Sequence, residues 1–253
     1  MVQQRLFKSV APTTGWRSFM FRASKAEEIG NFFALGLSEN QIAVIYLGAS
    51  GILARTSKQS VLIDAAGFLK DDETTALKEV NLLLFTHSHL DHFSAGKSLK
   101  LFKKTGAPIL AEAKVANKLK GIIPSEKLTS ATSGQTYAYG DLTVKAVQGV
   151  HRGPIMLFQI KMGNLLVFHA GDSGYVPMKD YQSQIAFLPT GRWSPTASPE
   201  NAFKMASELK PNVVVAMHGS KVQHKKFENI LKEKMPQTKV IIPTPYTSQT
   251  LEI

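Results

Sequence analysis

Short apolar runs, each ended by a polar residue, follow one another along the chain from residue 41 onward. They are rich in Val, Ile and Leu and are too short for buried helices, so the pattern predicts buried strands. The predicted strands are residues 42–47, 60–63, 81–86, 142–150, 165–168 and 213–217. Helical spacing and capping residues predict helices at 94–105, directly after Ser198, and at 221–234.

A glycine-containing turn at residues 47–52 (Leu-Gly-Ala-Ser-Gly-Ile) follows the first predicted strand and superficially suggests dinucleotide binding. The full Gly-x-Gly-x-x-Gly pattern is absent, and the turn leaves about eight residues for a helix before the next predicted strand at residue 60, whereas a crossover needs at least about 10–12. A β-hairpin or meander is therefore the better interpretation.

Residues 86–92 read Thr-His-Ser-His-Leu-Asp-His directly after an apolar strand. In an extended segment His87 and His89 point the same way and can share one metal ion, whereas Asp91 and His92 lie where the chain turns into a helix. Imidazole and carboxylate ligands suit zinc, manganese and iron. The cluster predicts a metal site.

Three more potential ligands stand at or just beyond the ends of apolar strands: His151, Asp172 and His218. Strand ends of one sheet lie along one edge, so these side chains can converge with the histidine cluster. His224, in contrast, is interpreted as exposed and unrelated to the site.

The pattern His-x-His-x-Asp-His, followed by a lone His, a lone Asp and a lone His, resembles the metallo-β-lactamase superfamily over about residues 41–253. The resemblance implies an α/β fold, a four-layer αββα sandwich. It also implies two divalent metal ions, most simply Zn²⁺, with Mn²⁺ or Fe²⁺ as alternatives. By this resemblance His87, His89 and His151 would hold the first ion, Asp91, His92 and His218 the second, and Asp172 would bridge them. Asp64 would orient a ligand.

The implied activity is hydrolysis of a phosphodiester, lactone or related ester by a metal-bound hydroxide. Asp91 would accept a proton from the attacking water, and His169 is a candidate acid for the leaving group. Tyr175 and Trp193 are candidate pocket residues.

The segments around residues 169–174, 188–191, 198–202 and 216–219 resemble the branch of small metal-dependent hydrolases that includes L-ascorbate-6-phosphate lactonase. That branch commonly has His after Leu-Gly near the first strand, where this chain has Ala49. Two alternatives to hydrolysis stay open: an iron-dependent oxidoreductase on the same fold, and a metal-binding protein associated with nucleic acid.

The composition adds two constraints. The chain has no cysteine, so disulfides and thiolate metal ligands are excluded. Its net charge is +11, mostly from lysine, which favours anionic substrates and would attract nucleic acid without sequence specificity, or serves solubility alone. Together with the resemblance, the charge predicts a small anionic or ester substrate. Two lysine clusters are candidates for the rim of the site: Lys97, Lys100, Lys103 and Lys104, and Lys221, Lys225 and Lys226.

Residues 1–40 are interpreted as a basic N-terminal extension and residues 41–253 as the hydrolase domain. Aromatic side chains of the extension, such as Trp16, are candidates for an oligomer contact. The sequence contains neither a membrane-spanning run nor a secretory signal, and a cytoplasmic location is expected.

Overall fold

The computed structural model describes residues 23–191 and 195–253 and contains two mixed β-sheets of seven strands each. The first sheet has the spatial order β14 (Ser248–Glu252), β1 (Gln41–Gly48), β2 (Gly51–Arg55), β3 (Ser60–Ile63), β4 (Leu82–Phe85), β5 (Ile109–Ala111) and β6 (Leu128–Ser130). The second has the order β13 (Lys239–Ile241), β12 (Val213–Gly219), β11 (Ile185–Gly191), β10 (Leu165–His169), β9 (Met156–Met162), β8 (Leu142–Gln148) and β7 (Thr136–Tyr139). The α-helices are α1 (Lys25–Ala34), α2 (Asp71–Ala76), α3 (Ala95–Thr105), α4 (Ala113–Leu119), α5 (Pro199–Leu209) and α6 (Lys221–Lys234).

The helices and sheets form four layers, and an apolar cluster fills each of the three spaces between neighbouring layers. The central cluster joins the facing sides of the two sheets and includes Val44 of β1 and Phe158 of β9. A second cluster packs α1 to α4 on the outer side of the first sheet, and a third packs α5 and α6 on the outer side of the second. This arrangement confirms the predicted four-layer αββα sandwich. Among the described helices, none combines the length and apolarity needed to cross a bilayer.

The direction of each strand determines which strand ends lie at the same edge of a sheet. Strands β1 and β3 both pair antiparallel with β2, and β3 and β4 are parallel, so the carboxyl ends of β1, β3 and β4 share one edge. In the second sheet β8 and β10 both pair antiparallel with β9, and β10, β11 and β12 are parallel. The carboxyl ends of β8, β10 and β12 therefore also share one edge.

The structure places a strand at each of the six predicted positions, with ends that differ by at most two residues. Residues 48–51 connect β1 to β2 as a hairpin turn, as predicted. Helix α3 begins after Ser94 and ends at Gly106, whose left-handed backbone (φ 64°) is the termination that glycine favours. Helix α5 begins after Ser198, whose side chain accepts a hydrogen bond from the Asn201 amide.

Helix α1 lies within residues 1–40 yet packs on the first sheet. Its N-terminus is closed by a reciprocal capping box between Ser24 and Glu27. Ile29 and Phe32 are fully buried, and the Arg55 guanidinium of β2 donates to the Phe32 carbonyl. The boundary at residue 40 stays a prediction, and residues 1–22, including Trp16, lie outside the described residues.

We expect Phe32→Ala to lower the free energy of unfolding by roughly 3–5 kcal/mol, because it removes a fully buried aromatic ring from the interface between α1 and the sheet. Urea unfolding followed by circular dichroism measures this change. Asn31→Ala alters the exposed neighbouring position and should stay within about 0.5 kcal/mol of the parent. Equal effects of the two variants would show that α1 adds nothing to the stability of the sandwich.

Candidate metal centre

The carboxyl ends of both sheets bring the predicted ligands together. The loop after β4 carries His87, His89, Asp91 and His92. His151 and Asp172 follow β8 and β10, and His218 lies at the carboxyl end of β12. Possible ligand atoms of His87, His89 and His151 lie within 4.8 Å of one another, and so do those of Asp91, His92, Asp172 and His218. The structure thus assembles all seven residues, in two neighbouring groups.

The Asp172 carboxylate lies between the two groups. Its Oδ2 is 2.8 Å from His218 Nε2 and 3.0 Å from His92 Nε2, both in the second group. The same oxygen is 3.9 Å from Nε2 of His87 in the first group. Asp172 is almost completely buried, so its charge is directed at these imidazoles rather than at solvent.

A second buried carboxylate, Asp64, orients one imidazole of each group. Its Oδ1 accepts from the Thr86 amide at 2.8 Å, and its Oδ2 accepts from the Thr86 hydroxyl at 2.5 Å. Because that hydroxyl proton is given to Asp64, the Thr86 oxygen accepts at 2.9 Å from Nδ1 of His87. His92 Nδ1 lies 3.1 Å from Asp64 Oδ2 and donates to it. Both rings therefore turn Nε2 toward the site.

The charge states suit a cation. Burial and the neighbouring imidazole of His92 lower the pKa of His87 to about 3, so this ring is neutral at pH 7 and keeps a lone pair. Burial alone would raise the pKa of Asp172, but the adjacent imidazoles of His218 and His92 hold it well below its usual range. A hydrogen bond with His92 lowers the pKa of Asp91 to about 2. Burial alone would lower the pKa of His92, but hydrogen bonds to Asp172, Asp64 and Asp91 raise it well above its usual value, so a bound metal ion would displace a proton from this ring.

Unsatisfied polar atoms test whether this donor set fits a metal ion. Nε2 of His87 is buried and has no hydrogen-bond partner in the described part of the chain. A buried nitrogen atom without a partner carries a large desolvation cost, which coordination to a metal ion would offset. The residues therefore fit a divalent metal, and the nitrogen and oxygen donors suit zinc, manganese or iron.

The hairpin turn between β1 and β2, which sequence analysis did not connect with the site, holds three of its residues. The buried Ser50 hydroxyl donates to Asp172 Oδ1, and the Ser50 carbonyl accepts from His169 at 2.8 Å. The Ala49 carbonyl accepts from the His218 amide at 3.0 Å. Because β1 and β3 run in the same direction, the turn after β1 lies at the same edge of the sheet as the metal-ligand candidates. A predicted hairpin after β1 was the sequence signal that could have placed the turn there.

His218 adopts a left-handed backbone conformation (φ 43°), which is uncommon for a residue other than glycine. The next residue, Gly219, leaves no room for a side chain, because a Cβ would lie 2.1 Å from the Thr190 hydroxyl. The prediction that His224 is exposed is wrong: the ring is largely buried, and its Nδ1 lies 2.8 Å from Thr190 Oγ1. His224 and Thr190 pack against the end of β12, which carries His218.

The surroundings of His169 contradict the predicted role of this residue as the leaving-group acid. The ring is fully buried, Nε2 donates to the Ser50 carbonyl, and Nδ1 accepts from the Gly171 amide at 3.2 Å. Burial also lowers its pKa, so the ring is neutral. With both nitrogens engaged inside the protein, His169 fixes the turn that leads to Asp172 and has no free proton to offer a substrate.

A cavity of about 500 Å³ opens over the two groups. Its described lining is His89, Asp91, His151, Arg152, Asp172, Thr196 and His218. The two lysine clusters do not line it: Lys100 pairs with Asp71, and Lys226 pairs with Glu200. Tyr175 donates to Glu208 away from the cavity, and Trp193 lies outside the described residues.

A family model described as Beta-lactamase superfamily domain matches residues 43–218. A UPF0173 protein of Pyrococcus abyssi is 30% identical over 180 residues, covering 69% of this chain and 82% of the relative. A UPF0173 metal-dependent hydrolase of Thermus thermophilus is 29% identical over 194 residues, covering 70% of this chain and 83% of the relative.

Two solved structures share the architecture. Igni18, a metallo hydrolase from Ignicoccus hospitalis, superposes with a TM-score of 0.67 at 21% identity and covers 84% of this chain and 99% of its own. The metallo-beta-lactamase fold protein YhfI from Bacillus subtilis has a TM-score of 0.67 at 15% identity and covers 84% of this chain and 100% of its own. At these identities the likeness concerns the fold.

We expect Asp64→Asn to weaken metal binding by about 10- to 100-fold, because an amide nitrogen replaces one oxygen that accepts from Thr86 or His92. Asn tolerates the left-handed backbone of residue 64 (φ 48°), so the main chain is kept. Competition with a chromophoric zinc chelator measures the affinity.

The matched control is Asp71→Asn, which changes an exposed carboxylate paired with Lys100. Parent-like zinc affinity in Asp64→Asn, or an equal loss in both variants, would contradict the orienting role of Asp64.

Proposed function

This chain belongs to the metallo-β-lactamase superfamily as a metal-dependent hydrolase, and we propose that it hydrolyses a phosphodiester, lactone or related ester with two divalent metal ions. Zn²⁺ is the first candidate, with Mn²⁺ or Fe²⁺ as alternatives. The observation that carries the proposal is the single Asp172 oxygen that lies beside imidazoles of both ligand groups.

The number of donors supports two ions rather than one. A catalytic zinc ion takes three protein ligands and keeps one position open. The first group offers three imidazoles, and the second offers two carboxylates and two imidazoles. With Asp172 counted as shared, each ion would have three ligands of its own and one in common, and the negative charge of the shared carboxylate would reduce the repulsion between the two cations.

When bound, the two ions would lower the pKa of a coordinated water toward about 7 and polarise the substrate oxygen. The chain supplies the positioning. The side chain of Asp91 is half exposed, lines the cavity and is ionised, so its carboxylate can accept a proton from an attacking water. The buried contacts of Asp64 and Ser50 keep the ligand side chains in place while substrate enters.

The test combines metal titration with an activity panel. Protein freed of metal by chelation is reconstituted with zinc and assayed on bis(p-nitrophenyl) phosphate, a γ-lactone and p-nitrophenyl butyrate. We expect hydrolysis of at least one substrate to be lost on chelation and to reach its maximum at two zinc ions per chain. Maximal activity at one equivalent, or activity that survives chelation, would overturn the proposal.

Asp172→Asn should reduce kcat by at least about 100-fold and lower the zinc content below two per chain. Loss of a direct ligand should lower metal affinity and activity at least as much as loss of a group that orients a ligand. Elemental analysis and steady-state kinetics on the substrate that the parent hydrolyses give both values. Asp141→Asn, at an exposed position after β7, is the control and should match the parent. A fully active Asp172→Asn would exclude the bridging role.

A further inference from the structure

We propose that Arg152 binds an anionic group of the substrate next to the scissile bond, so that the enzyme prefers esters bearing a phosphate or carboxylate over neutral esters of the same leaving group. This inference rests on the proposed hydrolytic function and deepens it by naming the substrate class. The proposal attributes the preference for anions to one side chain in the cavity lining rather than to the net charge of the whole chain.

Arg152 is the one lysine or arginine in the described lining of the cavity over the two ligand groups. It directly follows His151, so its side chain starts beside a member of the first group. Guanidinium is planar and presents paired N–H donors, a geometry that matches the two oxygens of a carboxylate or phosphate.

The Arg152 side chain is available for a ligand. It is exposed and makes no hydrogen bond or ion pair with any residue in the described ranges, although Asp91 and Asp172 line the same cavity. The described cationic clusters elsewhere are partly neutralised: Lys100 pairs with Asp71, and Lys225 pairs with Glu228.

The backbone that carries Arg152 is held at several points. The Val150 amide donates to the Ser173 hydroxyl at 2.9 Å, and the Gly174 amide donates to the Val150 carbonyl at 2.6 Å. These contacts fasten the Arg152 loop to the turn that carries Asp172. On the other side the Gly153 amide donates to the His151 carbonyl at 3.0 Å.

Glycines let this loop pack closely. A Cβ at Gly149 would lie 2.7 Å from Ile155 Cγ2, and Gly153 has φ 114°, a conformation that favours glycine. Because the backbone is already fixed, anion binding has to order only the Arg152 side chain, which keeps the entropic cost of recognition small.

The kinetic test uses two esters with one leaving group: neutral p-nitrophenyl butyrate and anionic mono-p-nitrophenyl glutarate. In zinc-reconstituted Arg152→Gln we expect KM for the anionic ester to rise about 10- to 100-fold, as for loss of a charged hydrogen bond, with kcat little changed. KM for the neutral ester should stay within about twofold. Arg152→Lys, which keeps the charge but not the fork, should lie between the parent and Arg152→Gln.

Binding provides a readout independent of turnover. Isothermal titration calorimetry with phenyl phosphate should show weaker binding to Arg152→Gln than to the parent at equal zinc content. Lys221→Gln removes an exposed charge near the last ligand but outside the cavity lining, and it should leave both measurements unchanged.

The outcomes separate the two proposals. If the parent hydrolyses none of the phosphodiester, lactone and ester substrates, the proposed function loses support, and weaker phenyl phosphate binding to Arg152→Gln alone still supports the anion site. If the parent is active but Arg152→Gln leaves both KM for the anionic ester and phenyl phosphate affinity unchanged, the role of Arg152 is wrong. An equal effect of Lys221→Gln and Arg152→Gln would also overturn it, because the recognition would then be a property of net charge.

Discussion

The buried carboxylate of Asp64 is the contact on which the geometry of the centre depends. Through the Thr86 hydroxyl it sets the tautomer of His87, and directly it sets that of His92, so one charge orients one ring in each ligand group. Asp64 occupies a left-handed backbone position at the end of β3 and is fully buried. A buried charge without partners would be costly, and the amide, hydroxyl and imidazole donors around it satisfy that requirement.

The sequence predicted what depends on local pattern and order. Residues 86–92 predict metal ligands by type and spacing, and six apolar runs predict strands that the structure contains. Residues 169 and 224 were misinterpreted because their surroundings come from distant segments: Ser50 approaches one from the first sheet, and Thr190 approaches the other from β11. The short edge strand β14 lacks an apolar run that would predict a strand, because most of its side chains are not buried. It is a strand because its backbone pairs with β1.

Charge illustrates the same distinction between composition and position. A net charge of +11 predicts attraction of anions in general, but it does not say where they bind. The structure puts the lysine clusters outside the cavity over the centre and leaves Arg152 within its lining. A single guanidinium on a fixed backbone, close to the proposed metal ligands, would act at short range, where salt screens it less than it screens distant surface lysines.

The central claim is that the two ligand groups hold two metal ions that share Asp172. Anomalous diffraction from a crystal of the zinc-reconstituted protein, recorded on both sides of the zinc absorption edge, tests it most directly. The claim predicts two anomalous peaks roughly 3.5–4 Å apart on either side of the Asp172 carboxylate. A single peak at full zinc saturation, or two peaks that do not share Asp172, would contradict it.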